Sequence, residues 1–418
     1  MRFTYTIILL FIVGFANANQ NPEPNPEPPI WGFFGHKRIN RLAVFTLPPE
    51  LIVFYKKNIE YITDHAVDPD KRRYAIKQEA PRHFIDLDRY GNDFETLLPK
   101  SWNEALAKFT EIYVVTKQGD TLQLTNREQV VIEKKYITFS SPNIKKLYQK
   151  DTIHIDKRKY KSFIFNVIER NVGELNLPLV LDSIKPFLNV KDIKYAFAKE
   201  ILSEHGIVPW HLQTMQKRLT EAFKARDFDK ILRLSAEIGH YVGDAHVPLH
   251  TTQNYNGQLT NQVGIHGFWE SRIPELFADT EFDYFVGKAD YVENKQQYFW
   301  KTVMDSHAFV DSVLQIEKRL SVTFPSDQQY CYEDRMNTNV RQPCRAYAQA
   351  YNVAMQGQVE ARMRAAILSV GSAWYSAWVD AGQPNMSDMA LKPTNTKDDE
   401  NAEKAIENGG TMIGRSEN

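Results

Sequence analysis

The feature that most constrains this chain is a group of histidine and carboxylate residues at helical spacing. His240 and Asp244 are four residues apart, so on an α-helix both side chains lie on one face. That helix must end before Pro248, and His266 and Glu270 repeat the spacing on a second predicted helix. Imidazole and carboxylate together suit zinc, and such oxygen-containing sets leave positions open for water. The pattern therefore predicts the metal centre of a hydrolase.

Length and charge set broad limits on the fold and on the substrate. A chain of 418 residues can form one large domain or two modest ones, each with a substantial core. Its 51 basic and 52 acidic residues give a net charge of -1. No overall field therefore draws the protein to nucleic acid or anionic lipid, and any attraction of an anionic substrate must be local.

The amino-terminal segment 1–18 has the layout of a secretory signal. A basic start is followed by an apolar run over 7–13 and then by Ala16-Asn17-Ala18, which matches a small-residue cleavage site. The run is too short to span a membrane, and the alternative is a buried strand or helix. The proline-rich segment 19–30 predicts an extended spacer. We therefore expect a secreted or periplasmic protein without a membrane span.

Only two cysteines are present, Cys331 and Cys344. In an exported protein two cysteines most simply form one disulfide, and a reduced pair is the alternative. Neither is expected to bind zinc.

Most of the chain shows helical periodicity, and the apolar stripe of the last and longest helix predicts core packing. The segment 114–189 differs, because short β-prone runs alternate there with turn residues, so we interpret it as an inserted, partly β segment. From residue 380 to 418 the chain turns polar, which predicts a disordered tail. The predicted helices are 37–43, 49–58, 101–113, 191–205, 211–225, 229–245, 267–277, 298–322 and 345–379.

Four blocks carry the ligand-type residues in a fixed order, and together they resemble the superfamily of S1/P1-type nucleases and bacterial zinc-dependent phospholipase C. The resemblance implies a mainly α fold, the helical phospholipase C/P1 nuclease-like fold around a trinuclear zinc cluster, as a zinc-dependent phosphodiesterase domain over 31–379. The blocks are Trp31 to His36, Ala66 to Asp68 with His83 to Asp86, His240 to His250, and His266 to Glu270.

The resemblance also implies which residues hold up to three zinc ions, with Asp244 bridging two of them. The implied sets are Asp68, His83, His240 and Asp244 for the first ion, His250, His266 and Glu270 for the second, and Trp31, His36 and Asp244 for the third.

Trp31 departs from the family pattern. In the family this aromatic residue is the mature amino terminus, whose free amine and carbonyl bind the third zinc. Cleavage after Ala18 would leave twelve residues ahead of Trp31. Either further trimming exposes Trp31, or the third site is weakened.

Catalytic and substrate-binding roles follow from the same resemblance. Asp68 matches the carboxylate beside the attacking water, a general-base or orienting role, and Asp64 and Asp70 are the alternatives to Asp68 as a zinc ligand. Phe84 and Asp86 match positions that stack on and hydrogen-bond a nucleobase. Arg72, or its neighbour Lys71, is a candidate for phosphate contact.

The resemblance leaves the substrate open between two branches. Trp31, Gly35 and Trp269 look nuclease-like, whereas Glu270 in place of aspartate looks phospholipase-like. We expect a nuclease or 3′-nucleotidase acting on single-stranded nucleic acid or nucleotides. A zinc-dependent phospholipase C acting on phospholipid is the first alternative, and a catalytically weakened zinc-binding interaction protein is the second. No obligate protein partner is evident from the sequence.

Overall fold

The computed structural model describes residues 33–125, 129–173, 176–185, 192–335, 338–387 and 396–415. The predicted signal 1–18, the spacer 19–30 and Trp31 lie outside these residues. Helices make up 58% of the structure and strands 12%, which confirms a mainly α fold. Within the described ranges, no helix is long and apolar enough to cross a bilayer.

The α-helices are numbered in chain order. They are α1 Phe33–Ala43, α2 Pro49–Lys57, α3 Ile59–Asp64, α4 Asp68–Arg72, α5 Phe94–Leu97, α6 Trp102–Phe109, α7 Pro142–Tyr148, α8 Lys157–Phe163, α9 Leu181–Ile184, α10 Val208–Ala225, α11 Phe228–Ala245, α12 Ile265–Gly267, α13 Ile273–Phe277, α14 Lys295–His307, α15 Val310–Thr323, α16 Arg345–Ala354, α17 Gln358–Asp380 and α18 Lys397–Glu407.

The strands form three small antiparallel sheets. One has the order β2-β1-β7-β6, the second β3-β4-β5, and the third is the hairpin β8-β9. The strands are β1 Thr110–Thr116, β2 Thr121–Gln123, β3 Val130–Ile132, β4 Tyr136–Ser140, β5 Thr152–Asp156, β6 Leu177–Leu179, β7 Ile193–Glu200, β8 Tyr330–Arg335 and β9 Thr338–Pro343.

Helix α11 is the centre of the helical core and packs against α1, α10 and α17. Buried hydrogen bonds supplement the apolar packing where these helices meet. The indole Nε1 of Trp374 donates to the Ser235 carbonyl at 2.9 Å, and the ring of Trp374 stacks on Tyr55. Nε2 of Gln216 on α10 donates to the Ala373 carbonyl at 2.9 Å. The first bond attaches α17 to α11, the helix that carries His240 and Asp244, and the second attaches α17 to α10.

Helix α1 approaches α11 at a point where α11 has no side chain. A Cβ on Gly239 would lie 1.9 Å from Oδ1 of Asn40, and one on Gly243 would lie 2.9 Å from Nδ1 of His36. Nδ2 of Asn40 donates across the contact to the Ala236 carbonyl at 3.0 Å. The two glycines therefore allow His36 to reach the face of α11 that carries the ligand-type residues.

The cysteine prediction is confirmed. Cys331 and Cys344 form a disulfide that joins the β8-β9 hairpin to the start of α16. Such a bond is typical of proteins from oxidising compartments.

Several predicted helices have different bounds in the structure. The predicted helix 191–205 is wrong, because residues 193–200 form β7, where the ring of Phe197 stacks on Tyr113 of β1. The helix predicted over 101–113 ends at Phe109 and continues directly into β1. The helices predicted over 298–322 and 345–379 each consist of two helices, and the second break has positive φ angles at Gln356 and Gly357. Strands extend over 110–200, wider than the segment 114–189.

The carboxy-terminal tail also differs from the expectation of disorder over 380–418. Residues 397–407 form α18, which begins with a capping box between Thr396 and Asp399 and packs against α4. Its Asp399 accepts a hydrogen bond from the buried Arg72 at 3.2 Å. Local polarity suggested disorder, whereas a long-range ion pair and a cap hold this segment on the body of the protein.

The close approach of α1 to α11 gives a test of the fold. We expect Gly239→Ala to lower the free energy of unfolding by about 1–3 kcal/mol, because the added methyl group displaces Asn40. Gly35→Ala is the matched control, since its Cβ would meet only the Glu270 carbonyl oxygen at an ordinary 3.8 Å. Urea unfolding of both variants measures the difference, and equal stability of the two would contradict the tight contact.

Candidate metal centre

Eight ligand-type side chains from separate segments converge beside α11. They come from α1, the start of α4, the turn after the 3₁₀ helix Ala80–Arg82, α11, the 3₁₀ helix Pro248–Thr251, and the helical segment 265–277. Within the described residues they form overlapping groups whose ligand atoms all lie within 4.8 Å of one another. These residues are His36, Asp70, His83, His240, Asp244, His250, His266 and Glu270.

Five interatomic separations within the first set, Asp70, His83, His240 and Asp244, are close to those of a tetrahedral zinc site. Nδ1 of His83 lies 3.0 Å from both Nε2 of His240 and Oδ2 of Asp244, which are themselves 3.4 Å apart. Oδ1 of Asp70 lies 3.6 Å from each of the two histidine nitrogens. Ligands at zinc-bond length from a tetrahedral zinc ion are separated by about 3.3 Å. The observed separations bracket that value.

Asp70, and not Asp68, belongs to this set. The Asp68 carboxylate instead accepts a hydrogen bond from Nδ1 of His65 and another from Nζ of Lys71 at 3.2 Å. The two aspartates are neighbours in α4 but project differently, because residues two apart on a helix do not share a face. Of the three candidate aspartates, Asp70 therefore lies among the grouped side chains, Asp68 lies outside them, and Asp64 pairs with Lys37.

Two carboxylates connect the first set to two further sets. Oδ1 of Asp244 lies 3.3 Å from Nε2 of His36, while its Oδ2 faces the first set. Oε1 of Glu270 lies 3.5 Å from the same His36 nitrogen. Oε2 of Glu270 lies 3.3 Å from Nε2 of His250 and 2.7 Å from Nε2 of His266. Asp244 was expected to bridge two sites; the bridging position of Glu270 was not.

Backbone carbonyls fix the orientation of three of the imidazoles. Nδ1 of His240 lies 2.9 Å from the Ala66 carbonyl oxygen, and Nδ1 of His250 lies 2.8 Å from that of His83. Nδ1 of His266 lies 3.0 Å from the Tyr255 carbonyl oxygen. Because a carbonyl can only accept, each Nδ1 carries a proton, and Nε2 of each ring faces the centre. Metal-binding histidines are oriented in this way.

The protonation states in this arrangement suit a cation. Burial and the neighbouring His240 hold the pKa of His83 well below its usual value, and burial with His36 does the same for His240, so both rings are neutral. Burial would raise the pKa of Glu270, but His250 and the other imidazoles around it hold that pKa well below its usual value. Lone pairs and carboxylate charges therefore face one another in a dry site. These residues fit a metal ion and could hold one.

The helical geometry around His266 and Glu270 is unusual. Residues Phe268–Arg272 form a π-helical turn between α12 and α13. Such wide turns are frequent at functional sites. Here the turn accompanies the 2.7 Å approach of Nε2 of His266 to Oε2 of Glu270.

Phe84, Asp86 and Tyr255 surround the guanidinium of Arg415 beside the centre, and we call the space between them the aromatic cleft. Phe84 and Asp86 follow His83, and the backbone N–H of Ile85 donates to the His250 carbonyl at 2.9 Å. Tyr255, whose carbonyl holds His266, forms another wall of the cleft and was missed in the sequence. The sequence position of Tyr255, between the third and fourth blocks, could have indicated that it lies near the centre.

Arg72 does not line this cleft. Its Nη1 donates to Glu237 at 3.0 Å and to Asp399 at 3.2 Å, and its Nε donates to Glu79 at 3.3 Å. Burial opposes its charge, but Glu237 and the other acids around it raise the pKa of Arg72 well above its usual value. Arg72 is therefore the centre of a buried acidic cluster, and its donors are used there.

Comparison of the chain with protein-family models, with curated proteins and with solved structures finds no match. The resemblance to the nuclease and phospholipase C superfamily therefore stays a prediction from the four blocks.

The two aspartates of α4 give a direct test of the ligand set. We expect Asp70→Ala to weaken zinc binding by more than the ~10- to 100-fold that second-shell partners cost, because a direct ligand is lost. Asp68→Ala should retain zinc, since Asp68 contacts His65 and Lys71 instead. Metal analysis after dialysis against a graded chelator measures both. Loss of zinc in the Asp68 variant alone would restore the original assignment.

His246 lies outside the metal-binding groups and gives a pH test. Burial, and to a smaller extent the charge of Arg362, lowers the pKa of His246 to about 3. Its Nδ1 donates to the Val242 carbonyl, and its Nε2 accepts from Oγ of Ser369 at 3.1 Å. Below pH ~6.5 this histidine binds a proton in the unfolded chain but stays neutral in the native state. The free energy of unfolding therefore decreases as the pH falls from ~6.5 toward 3.

We therefore expect His246→Gln to lose less stability than the wild type between pH 7.5 and pH 5. Thermal unfolding of both proteins at the two pH values, in the same excess of chelator, measures this difference. The other buried histidines contribute equally to both proteins, so an identical pH dependence would show that His246 is charged in the native state.

Proposed function

We propose that this protein is an exported, zinc-dependent hydrolase of phosphate esters, most specifically a nuclease or 3′-nucleotidase. The observation that carries the proposal is the first ligand set, in which five separations of 3.0 to 3.6 Å are close to the ligand spacing of a tetrahedral zinc site. The sharing of Asp244 and Glu270 among three sets supports a cluster of up to three ions. The disulfide supports export.

In this proposal the three sets divide the ions among the described residues. Asp70, His83, His240 and Asp244 hold the first, and His250, His266 and Glu270 hold the second. His36, Asp244 and Glu270 contribute to a third, to which Trp31 belongs by resemblance. Bound zinc supplies a water of lowered pKa and neutralises charge that grows on phosphoryl oxygens.

The protein side chains then set position and charge. Carbonyl bonds to His240, His250 and His266 hold the ligand nitrogens in fixed directions, so the site needs no rearrangement during the reaction. Asp70 takes the place beside the attacking water that the resemblance gave to Asp68. Three divalent ions against the three carboxylates Asp70, Asp244 and Glu270 leave a local positive surplus. That surplus attracts a phosphate although the chain as a whole carries -1.

The adjoining cleft favours a nucleotide over a lipid headgroup. Phe84 and Tyr255 provide aromatic faces, and planar bases stack on such faces regardless of sequence. The carboxylate of Asp86 can accept hydrogen bonds from the amino and imino groups of a base. A choline headgroup offers no such donors, although its cation would also suit aromatic faces.

A four-substrate assay tests the function. We expect zinc-loaded protein to hydrolyse single-stranded DNA, RNA or a 3′-nucleotide faster than phosphatidylcholine, and chelator to abolish the activity. His266→Ala should be inactive, because the second set loses one of its three ligands. His154→Ala is the matched control, since His154 is an exposed histidine of β5 outside every metal-binding group.

The remaining outcomes identify the alternatives. Faster hydrolysis of phosphatidylcholine would assign the protein to the phospholipase C branch. Full zinc content without hydrolysis of any of the four substrates would favour the zinc-binding interaction protein.

A further inference from the structure

The carboxy-terminal segment runs from α18 to the aromatic cleft. The backbone N–H of Ile413 donates to the Arg73 carbonyl at 2.8 Å, and Nη2 of the buried Arg73 donates back to the Arg415 carbonyl. A Cβ on Gly414 would lie 2.6 Å from that of Ala80, so only glycine allows this close passage. The path is therefore fixed by specific contacts on both sides of Gly414.

Arg415 fills the cleft. Its guanidinium carbon lies 3.4 Å from the ring centre of Phe84 and 4.6 Å from that of Tyr255, and its Nη2 donates to Oδ2 of Asp86. A guanidinium is planar and stacks on aromatic rings much as a base does. Its donors also satisfy a carboxylate. Arg415 thus uses the same two kinds of contact that a nucleobase would use there.

We propose that this cleft is a binding site for the chain's own carboxy-terminal segment, and that Arg415 competes with the base of a substrate for Phe84, Tyr255 and Asp86. The competition rests on the proposed function, because it assumes a substrate that carries a base. A segment seated ~90% of the time would raise the apparent dissociation constant of such a ligand about tenfold.

The contact between Arg415 and the cleft leaves polar atoms unpaired, which favours its displacement by a ligand. Nη1 of Arg415 and Oδ1 of Asp86 are buried and have no hydrogen-bond partner among the described residues. A buried donor and acceptor left unpaired weaken the seated state, and a ligand that pairs with Oδ1 gains over Arg415. The capped helix α18 stays anchored through Asp399 and Arg72, so the released arginine remains close to the cleft.

Adenosine is the probe, because it carries a base and has no phosphate to be hydrolysed. Calorimetry on zinc-loaded protein should show adenosine binding about tenfold more tightly to Arg415→Ala than to the wild type. Arg415→Lys, which keeps the charge and loses the plane, should also bind it more tightly than the wild type. Lys404→Ala is the matched control, since Lys404 is an exposed cation of the same tail, and its affinity should equal that of the wild type.

A second readout uses the wild-type chain alone, so it does not depend on how the variants fold. Trypsin can cleave after Arg415 only when that residue leaves the cleft, because its side chain is largely covered there and its carbonyl accepts a hydrogen bond from Arg73. Saturating adenosine should therefore accelerate cleavage after Arg415, as measured by mass spectrometry.

The outcomes separate this inference from the proposed function. Equal adenosine affinity in the wild type and Arg415→Ala, or a cleavage rate unaffected by adenosine, overturns the competition even if the enzyme hydrolyses nucleic acid. Absence of adenosine binding to every variant overturns it as well. If Arg415→Ala binds adenosine more tightly but the protein hydrolyses no phosphate ester, binding of the tail in the cleft is supported and the proposed function is refuted.

Discussion

The structure depends on one electrostatic constraint: lone pairs and carboxylates face one another at the buried end of α11. Nε2 of His266 and Oε2 of Glu270 are 2.7 Å apart, and Nδ1 of that ring lies 3.0 Å from the Tyr255 carbonyl oxygen. In a neutral ring with its proton on Nδ1, Nε2 and the carboxylate are two acceptors, which repel each other in a medium of low dielectric constant. A cation between them reverses the sign of the interaction, so the stability of this region is linked to metal binding by mass action.

The fold meets this constraint by drawing ligands and their supports from different segments. The carbonyl of Ala66 orients His240 from a segment far away in sequence, and the carbonyl of His83 orients His250. The approach of α1, permitted by Gly239 and Gly243, brings His36 into stacking contact with His240 at a ring separation of 4.0 Å. Each ligand is thus held by an element that also packs in the core, which restricts its movement.

Much of the centre follows from sequence because its spacing is local. His240 and Asp244 share a face of α11 by periodicity alone, and the helix ends before Pro248 as expected. His266 and Glu270 have the same four-residue spacing, but a π-helical turn begins between them and was not predicted. The choice between Asp68 and Asp70 could not be made this way. The choice depends on which side of α4 is turned toward α11, because residues two apart on this helix project in different directions.

Long-range contacts decided the elements that were predicted incorrectly or not at all. The residues of β7 have acceptable helical periodicity, and pairing with β1 and the stacking of Phe197 on Tyr113 make them a strand. The polar composition of the tail suggested disorder, because a sequence pattern cannot show that Asp399 would meet Arg72, more than three hundred residues earlier.

The acidic cluster around Arg72 connects the tail to the metal centre. Glu79 and Glu237 are buried together, and like charges in such a site are stable only with a cation between them. Arg72 supplies that cation, and Asp399 adds a third carboxylate from α18. Tyr241 donates to Glu79 and places its ring 5.3 Å from that of His83, edge to face. The tail is therefore attached to the same buried network that supports a ligand of the first set, and it reaches the cleft from a fixed position.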